Sequence, residues 1–316
     1  MPAIAVVVPA YRAAATIADV LRAIPASAQW IVVVDDGSTD DLPSAVRGVN
    51  DERVEIVRHE QNRGVGAAVL TGYQRALDLG AEIIVKVDAD GQMDPAYLPQ
   101  LIAPVADGTT DYAKGNRFLH GPELRSMPPT RRYGNVGLSF LTKLATGYWP
   151  VFDPTNGYTA IHGSVAKVLD RTKIAERYFF ETSMLIELSR LRAVVTDVYI
   201  PARYSGEVSS LRPARAAVGF PLPLLRAFLQ RVRLEYFVRD FTAVSLYIVA
   251  GIVLLAFGTA WGIWHWIASV QSGVPATTGT VMIAVLPVML GMQLLLQAAT
   301  LDIQSVPSRV IQTRRG

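Results

Sequence analysis

From Ile4 to Val87 the chain alternates short apolar runs with longer amphipathic stretches. Ile4–Val8, Ile31–Val34, Val54–Arg58 and Ile83–Val87 are rich in β-branched side chains and read as strands. Between them, Ala13–Ala23, Leu42–Val49 and Gly66–Leu79 carry apolar residues at helical spacing. Strands this short, largely apolar and separated by helices, predict a parallel sheet covered on both faces, an α/β domain. Ligands of such sheets bind beyond the carboxyl ends of the strands. The segments to examine are therefore Pro9-Ala10-Tyr11-Arg12, Asp35-Asp36-Gly37-Ser38-Thr39-Asp40, Asn62-Arg63-Gly64-Val65-Gly66 and Asp88-Ala89-Asp90-Gly91-Gln92.

The far end has a different pattern. From Phe241 to Ile267 the only candidate charge is His265, and from Gly279 to Leu301 there is none. A hydrocarbon core of about 30 Å takes about 20 helical residues, so each stretch is long enough to cross. Trp261, Trp264 and Trp266 close the first stretch with an aromatic cluster of the interfacial kind. The connector Ala268–Thr278 is uncharged, whereas Arg231, Arg233 and Arg239 precede the pair and Arg309, Arg314 and Arg315 follow it. The positive-inside rule then puts both ends in the cytosol. Upstream, Leu211–Asp240 mixes Arg212, Arg215, Arg226, Arg231, Arg233 and Arg239 with Leu224, Leu225, Phe228, Leu229 and Val232, which predicts amphipathic helices lying on the membrane, with arginines toward lipid phosphates. The expected organisation is a catalytic domain over 1–210, interfacial helices over 211–240, two transmembrane helices over 241–303 and a cytosolic tail over 304–316. Ile4–Val8 is too short, and lacks the basic flank, for a signal peptide.

Composition sharpens this in three ways. Hydrophobic residues make up 51% and charged residues 18% of 316, with a mean hydropathy of +0.28, an apolar excess that the C-terminal stretches absorb. With no cysteine, disulfides and thiolate metal sites are excluded. A formal charge of +3 gives no case for nucleic acid. His59, His120, His162 and His265 are scattered and read as incidental.

Asp88-Ala89-Asp90 is the chemical centre. Two carboxylates one residue apart at a strand end can face one side of a turn and offer oxygen ligands to Mg²⁺ or Mn²⁺, which such sites share with phosphates. Gln92 adds an amide oxygen. Alone, an Asp-x-Asp is also an ordinary polar turn; its position after an apolar strand, and after Asp35-Asp36-Gly37-Ser38, gives it weight. That earlier segment reads either as a turn and helix cap or as a carboxylate accepting hydrogen bonds from a nucleobase or ribose. Gly64-Val65-Gly66 is a tight turn without the dinucleotide fingerprint.

Together, V-V-V-P-A-Y, V-V-D-D-G-S-T-D, N-R-G-V-G-A-A and D-A-D-G-Q-M-D-P resemble the family-2 inverting glycosyltransferases with a GT-A fold, and most closely the polyprenyl-phosphate sugar synthases similar to dolichol-phosphate-mannose synthase. The resemblance implies a metal and diphosphate site at Asp88, Asp90 and Gln92. It implies a nucleotide-sugar site built from Pro9, Tyr11, Asp35, Asp36, Gly64, Asp88, Ala89, Asp90 and Arg203. Lys114-Gly115-Asn116-Arg117 resembles the segment whose arginine faces the acceptor phosphate, here Arg117. Arg131 and Arg132 resemble a second basic element near it. Asp153-Pro154-Thr155-Asn156-Gly157-Tyr158 resembles the segment under the acceptor, and Arg203-Tyr204-Ser205-Gly206 the loop over the donor phosphates. That loop departs from the family, with Ser209-Ser210-Leu211 in place of Ser-Lys-Leu; Arg212 stands near the missing charge.

The expected reaction moves a hexose from UDP- or GDP-sugar to polyprenyl phosphate at the cytosolic face of a bacterial plasma membrane. A lipid phosphate is already ionised and needs cations to hold it, not a general base. Were the acceptor a hydroxyl of a glycolipid or lipid-linked saccharide, Glu181 or Asp153 would be the base; otherwise Glu181 is structural or positions the donor sugar. A processive synthase is disfavoured because Gln230-Arg231-Val232-Arg233-Leu234 lacks the tryptophan of Q-x-x-R-W. A catalytically dead scaffold is disfavoured by the intact acid pair. The sequence leaves homo-oligomerisation open.

Overall fold

The computed structural model describes residues 2–117, 129–201 and 219–312, with backbone alone for 129–135. These residues fall into two compact units, one comprising 1–227 with 307–316 and the other 228–306.

The first unit is built on a seven-stranded sheet of order β3-β2-β1-β4-β6-β5-β7. The strands are β1 (Ile4–Ala10), β2 (Trp30–Asp35), β3 (Val54–Arg58), β4 (Ile83–Lys86), β5 (Tyr112–Asn116), β6 (Thr159–His162) and β7 (Val195–Tyr199). Alternation along the strands assigns the layers. Val6, Val8, Ile31, Val33, Ile83 and Val85 form one buried cluster with Ile17 and Leu21 of the helix Ile17–Ala23, Leu42 of Leu42–Arg47 and Leu101 of Leu98–Ala106. The intervening residues, Val7 and Val34 among them, meet the helix Val65–Asp78 on the opposite face. Both faces are thus covered, as strands apolar throughout require.

The four N-terminal strands pair in parallel as the pattern predicts. Beyond the four strands read from the pattern, β6 runs antiparallel between β4 and β5. A strand buried on both faces reads the same in either direction, so direction is decided by the crossover that precedes it. Pro9 lies inside β1 without cost: the β1–β4 ladder ends at Val7↔Lys86, before the missing N–H would be needed.

After the second apolar helix the chain returns to the first unit. Ile311 N donates to both oxygens of buried Asp111 (2.8 and 3.0 Å), and Gln312 N to Oδ1 at 3.1 Å. Gln312 Nε2 donates to Thr110 O at 2.8 Å. Part of the stretch expected as a plain tail is therefore held on the sheet unit.

The second unit holds two helices long and apolar enough to cross a membrane, Ala243–Ser272 (mean hydropathy 2.2) and Thr278–Gln304 (2.1). Both run past the bounds read from hydropathy, because helical hydrogen bonding continues through polar end residues. They cross closely: a Cβ on Gly251 would lie 3.0 Å from Gly291 O, and one on Gly291 2.7 Å from Gly251 O. Arg231 makes a fork to Asp302 (2.7 and 2.9 Å), and Tyr236 O–H donates to the same carboxylate. Arg231 is buried there, so it does not serve as one of the lipid-facing arginines expected of this segment; Arg226 and Arg233 are exposed.

Candidate active site

Hydrogen bonds join the loops beyond the parallel strands to one another. Asp36 N donates to Ala10 O, and His59 N to Asp35 O, each at 2.9 Å, joining the ends of β1, β2 and β3. Arg12 N donates to Ser38 Oγ and Ala14 N to Asp40 Oδ2. Thr16 Oγ1 donates to Ala89 O at 2.6 Å, tying the acid turn after β4 to the start of the first helix. The convergence expected from strand order is therefore present.

Asp36 is a clamp at the centre of this stitching. Its Oδ1 accepts from Arg63 N (2.9 Å) and lies 2.7 Å from His59 Nδ1, while Oδ2 accepts from Gly64 N at 2.7 Å. His59 Nε2 reaches Thr71 Oγ1 at 3.0 Å. This corrects one expectation, since His59 is a buried bridge rather than incidental, and it gives the Asp36 carboxylate a part in shaping the loop. Sequence spacing had no means to pair residues 36, 59 and 71. Asp35 is fully buried; its Oδ1 accepts from Ser38 N, and Oδ2 lies 3.2 Å from Arg58 Nε without a well-aligned hydrogen bond. Tyr11 stands exposed beside the guanidinium of Arg12.

Gly64 has φ +108°, and a Cβ there would lie 2.4 Å from Glu176 O. Only glycine admits both the conformation and the close approach. That contact, with Gly66 N donating to Glu176 O, seats the segment before the helix Phe180–Leu191 and so brings Glu181 to the site.

At the acid turn, Asp88 does not stand alone. Lys86 Nζ, fully buried at the end of β4, donates to Asp88 Oδ1 at 2.6 Å and to Gly157 O at 3.1 Å, and lies 3.6 Å from Glu181 Oε1. Burial alone would pull the ammonium pKa down; the Asp88 and Glu181 carboxylates outweigh it and hold the pKa above its ordinary value. Glu181 is pushed up, by burial first and by Asp88 next, with Lys86 opposing. Asp90 Oδ1 accepts from Gln92 N at 2.9 Å, which closes the turn. Lys86 escaped the sequence reading because a single lysine in an apolar strand resembles an ordinary edge or snorkelling position.

At the exit of β5, Arg117 makes a fork to Asp153, Nε to Oδ2 at 2.8 Å and Nη2 to Oδ1 at 2.9 Å. Burial raises the Asp153 pKa, but Arg117 and Lys114 outweigh that and the net direction is down. The structure thus joins the two segments assigned to the acceptor, and it fixes Arg117 by a carboxylate. The side chain of Arg131 and the whole of Arg203, Arg212 and His120 lie outside the described residues.

Among the described residues, no three His, Cys, Asp or Glu side chains gather into a metal cage. Asp88 and Asp90 share one short turn, where Asp88 is partly exposed. Such a pair suits Mg²⁺ or Mn²⁺, which take one or two carboxylates and complete their shell with water and substrate phosphates. The donor set fits a divalent ion that shares its ligands with a diphosphate.

Residues 5–169 match the family model described as Glycosyl transferase family 2. Over 206 residues the chain is 34% identical to the UDP-N-acetylglucosamine–dolichyl-phosphate N-acetylglucosaminyltransferase of Methanococcus voltae, covering 61% of this chain and 81% of that one. Over 173 residues it is 28% identical to the undecaprenyl-phosphate mannosyltransferase of Micrococcus luteus, covering 54% and 70%. Among solved structures, glucosyl-3-phosphoglycerate synthase from Mycobacterium tuberculosis in complex with Mn²⁺, UDP and glucosyl-3-phosphoglycerate aligns with a TM-score of 0.52 at 21% identity, over 73% of this chain and 80% of that one. Identity that low speaks for the fold alone, here GT-A.

Proposed function

The chain belongs to glycosyl transferase family 2, and on that premise we propose that it transfers a hexose from a nucleotide sugar to polyprenyl phosphate, with inversion, at the cytosolic face of a bacterial plasma membrane. The observation that carries this reading is the acid turn Asp88-Ala89-Asp90 at the strand ends of a chain that also has two helices able to span a membrane.

Asp88, Asp90 and the Gln92 amide would hold Mg²⁺ or Mn²⁺. When bound, the ion neutralises charge developing on the departing nucleoside diphosphate. Pro9, Tyr11, Asp35 and Gly64 line the nucleotide side. Both acids behind this side are buried: Asp36 braces the loop through Arg63 N and Gly64 N, and Asp35 through Ser38 N. Arg117, held in orientation by Asp153, meets the acceptor phosphate, with Arg131 and Arg203 as further cations for acceptor and donor.

Two observations favour a phosphate acceptor over a sugar hydroxyl. Asp153 is engaged by the Arg117 fork, and Glu181 faces the Lys86 ammonium. Both carboxylates face cations, and a phosphate acceptor requires no general base. Membrane docking is supported by Leu222, Leu225 and Leu229, exposed on the helix Pro221–Arg233 while Leu224 and Ala227 pack inward.

Membranes containing the protein are supplied with radiolabelled UDP- and GDP-sugars, with and without added polyprenyl phosphate. The expected product is a lipid-extractable monosaccharide that depends on the added lipid and on a divalent ion. Label appearing in glycolipid or saccharide independently of polyprenyl phosphate would replace this reading with the hydroxyl-acceptor one.

A further inference from the structure

A fully buried lysine beside the acid turn is not required by the sheet. Lys86 pairs in register with Thr159 of β6, and its neighbours Ile84 and Val85 are the apolar residues that such a strand calls for. Burying an ammonium is unfavourable unless carboxylates compensate it. Here two do: Asp88 Oδ1 at 2.6 Å and Glu181 Oε1 at 3.6 Å. The contact is sterically prepared as well. A Cβ on Gly157 would lie 2.3 Å from Lys86 Nζ and 2.8 Å from Asp88 Oδ2, so the chain keeps glycine where ammonium and carboxylate meet.

We propose that Lys86 is a tethered counter-cation that competes with the divalent ion for Asp88, so that metal enters this site together with the donor's diphosphate and not ahead of it. The inference rests on the reading of Asp88 and Asp90 as metal ligands. An ion arriving alone must displace the ammonium from Asp88 and then sit beside its like charge. A diphosphate brings at least two further negative charges and its own oxygen ligands, which tips the balance toward the metal. Glu181 gives the displaced ammonium somewhere to go. A movement of about 1 Å would shorten the 3.6 Å separation to hydrogen-bond distance. Lys86 is thus a positioning residue that acts through Asp88, and its consequence is ordered loading of the donor as a metal complex.

The test measures Mn²⁺ binding to the full-length protein in detergent by the electron paramagnetic resonance of unbound Mn²⁺, alone and with saturating UDP or GDP. The wild type is expected to bind Mn²⁺ at least tenfold tighter with one of the nucleotides than without. Lys86→Met is expected to bind Mn²⁺ alone at least tenfold tighter than wild type, with the nucleotide effect correspondingly smaller. Since that variant leaves Glu181 without its cation, the charge-conserving pair K86M/E181Q serves as the second arm. It keeps the net charge of wild type yet lacks the competitor, and the same gain in metal-alone affinity is expected. If wild type shows the nucleotide effect while the folded variants bind Mn²⁺ alone no tighter, the tethered-cation inference falls and the metal-site reading stands. If neither nucleotide brings Mn²⁺ to wild type, both fall.

Discussion

Gly157 and Asp153 are four residues apart, and each is required for a different reason. Gly157→Ala introduces a methyl within 2.3 Å of Lys86 Nζ and 2.8 Å of Asp88 Oδ2, where both neighbours are pinned by ion pairing. Overpacking of this kind costs about 1–3 kcal/mol. Transfer activity should fall by more than the stability loss accounts for, at least tenfold in kcat/KM, because Asp88 is displaced. A normal far-UV spectrum with unchanged kcat/KM would refute that. Asp153 offers a pH signature. Its folded pKa lies below the ordinary 3.8, so its contribution is fully present above that value and is lost as pH falls through the folded pKa. Unfolding midpoints measured from pH 6 down through the acid range should decline for wild type and decline less for Asp153→Asn. That variant should also lose about 1–3 kcal/mol at neutral pH from the unmade Arg117 bonds. Parallel acid profiles for the two proteins would count against the pairing.

The elements themselves were largely legible. Val6, Val8, Ile31, Val33 and Val85 announce their strands through β-branched runs, and the acid turn lies directly after the fourth run, where a strand-end ligand site belongs. The direction of β6 was not legible, since its buried residues fit a parallel or an antiparallel neighbour equally. Nor was the docking of Ile311 and Gln312 on Asp111, which depends on contacts across 200 residues of chain. Asp111 accepts Val194 N as well, so one carboxylate joins β5, the approach to β7 and the returning C-terminal segment. Asp111→Ala strands three backbone N–H groups and should destabilise the sheet unit by about 3 kcal/mol. Deleting 307–316 removes two of those donors and should cost less. Thermal unfolding should rank the three proteins in that order. A deletion as harmful as the substitution would mean that the segment acts through contacts other than Asp111.

At the scale of the whole molecule, the chain is two units with different solvents. The sheet unit buries an apolar core between its layers, while Leu246, Val249, Ile252, Phe257, Met289 and Leu296 of the two apolar helices are exposed, a surface suited to lipid. Within the second unit, the Arg231–Asp302 fork joins the segment before the first span to the end of the second. Removing one partner of a buried ion pair is far worse than replacing both. Arg231→Met should therefore lower stability in detergent by about 3–5 kcal/mol, and R231M/D302L should recover most of it. Equal losses in the single and double variants would show that the pair contributes nothing specific.

What depends on neighbours along the chain is legible in the residues alone: which segments form strands and helices, that two stretches are long and apolar enough to cross a membrane, and that Asp88 and Asp90 share a strand-end turn. Periodicity and spacing report local geometry, and these features are local. Which distant polar groups meet follows from the fold. Lys86 with Glu181, Arg117 with Asp153, and Asp36 with His59 each join residues far apart in the chain, so their pairing leaves no trace in local periodicity and forms only where packing brings the partners together.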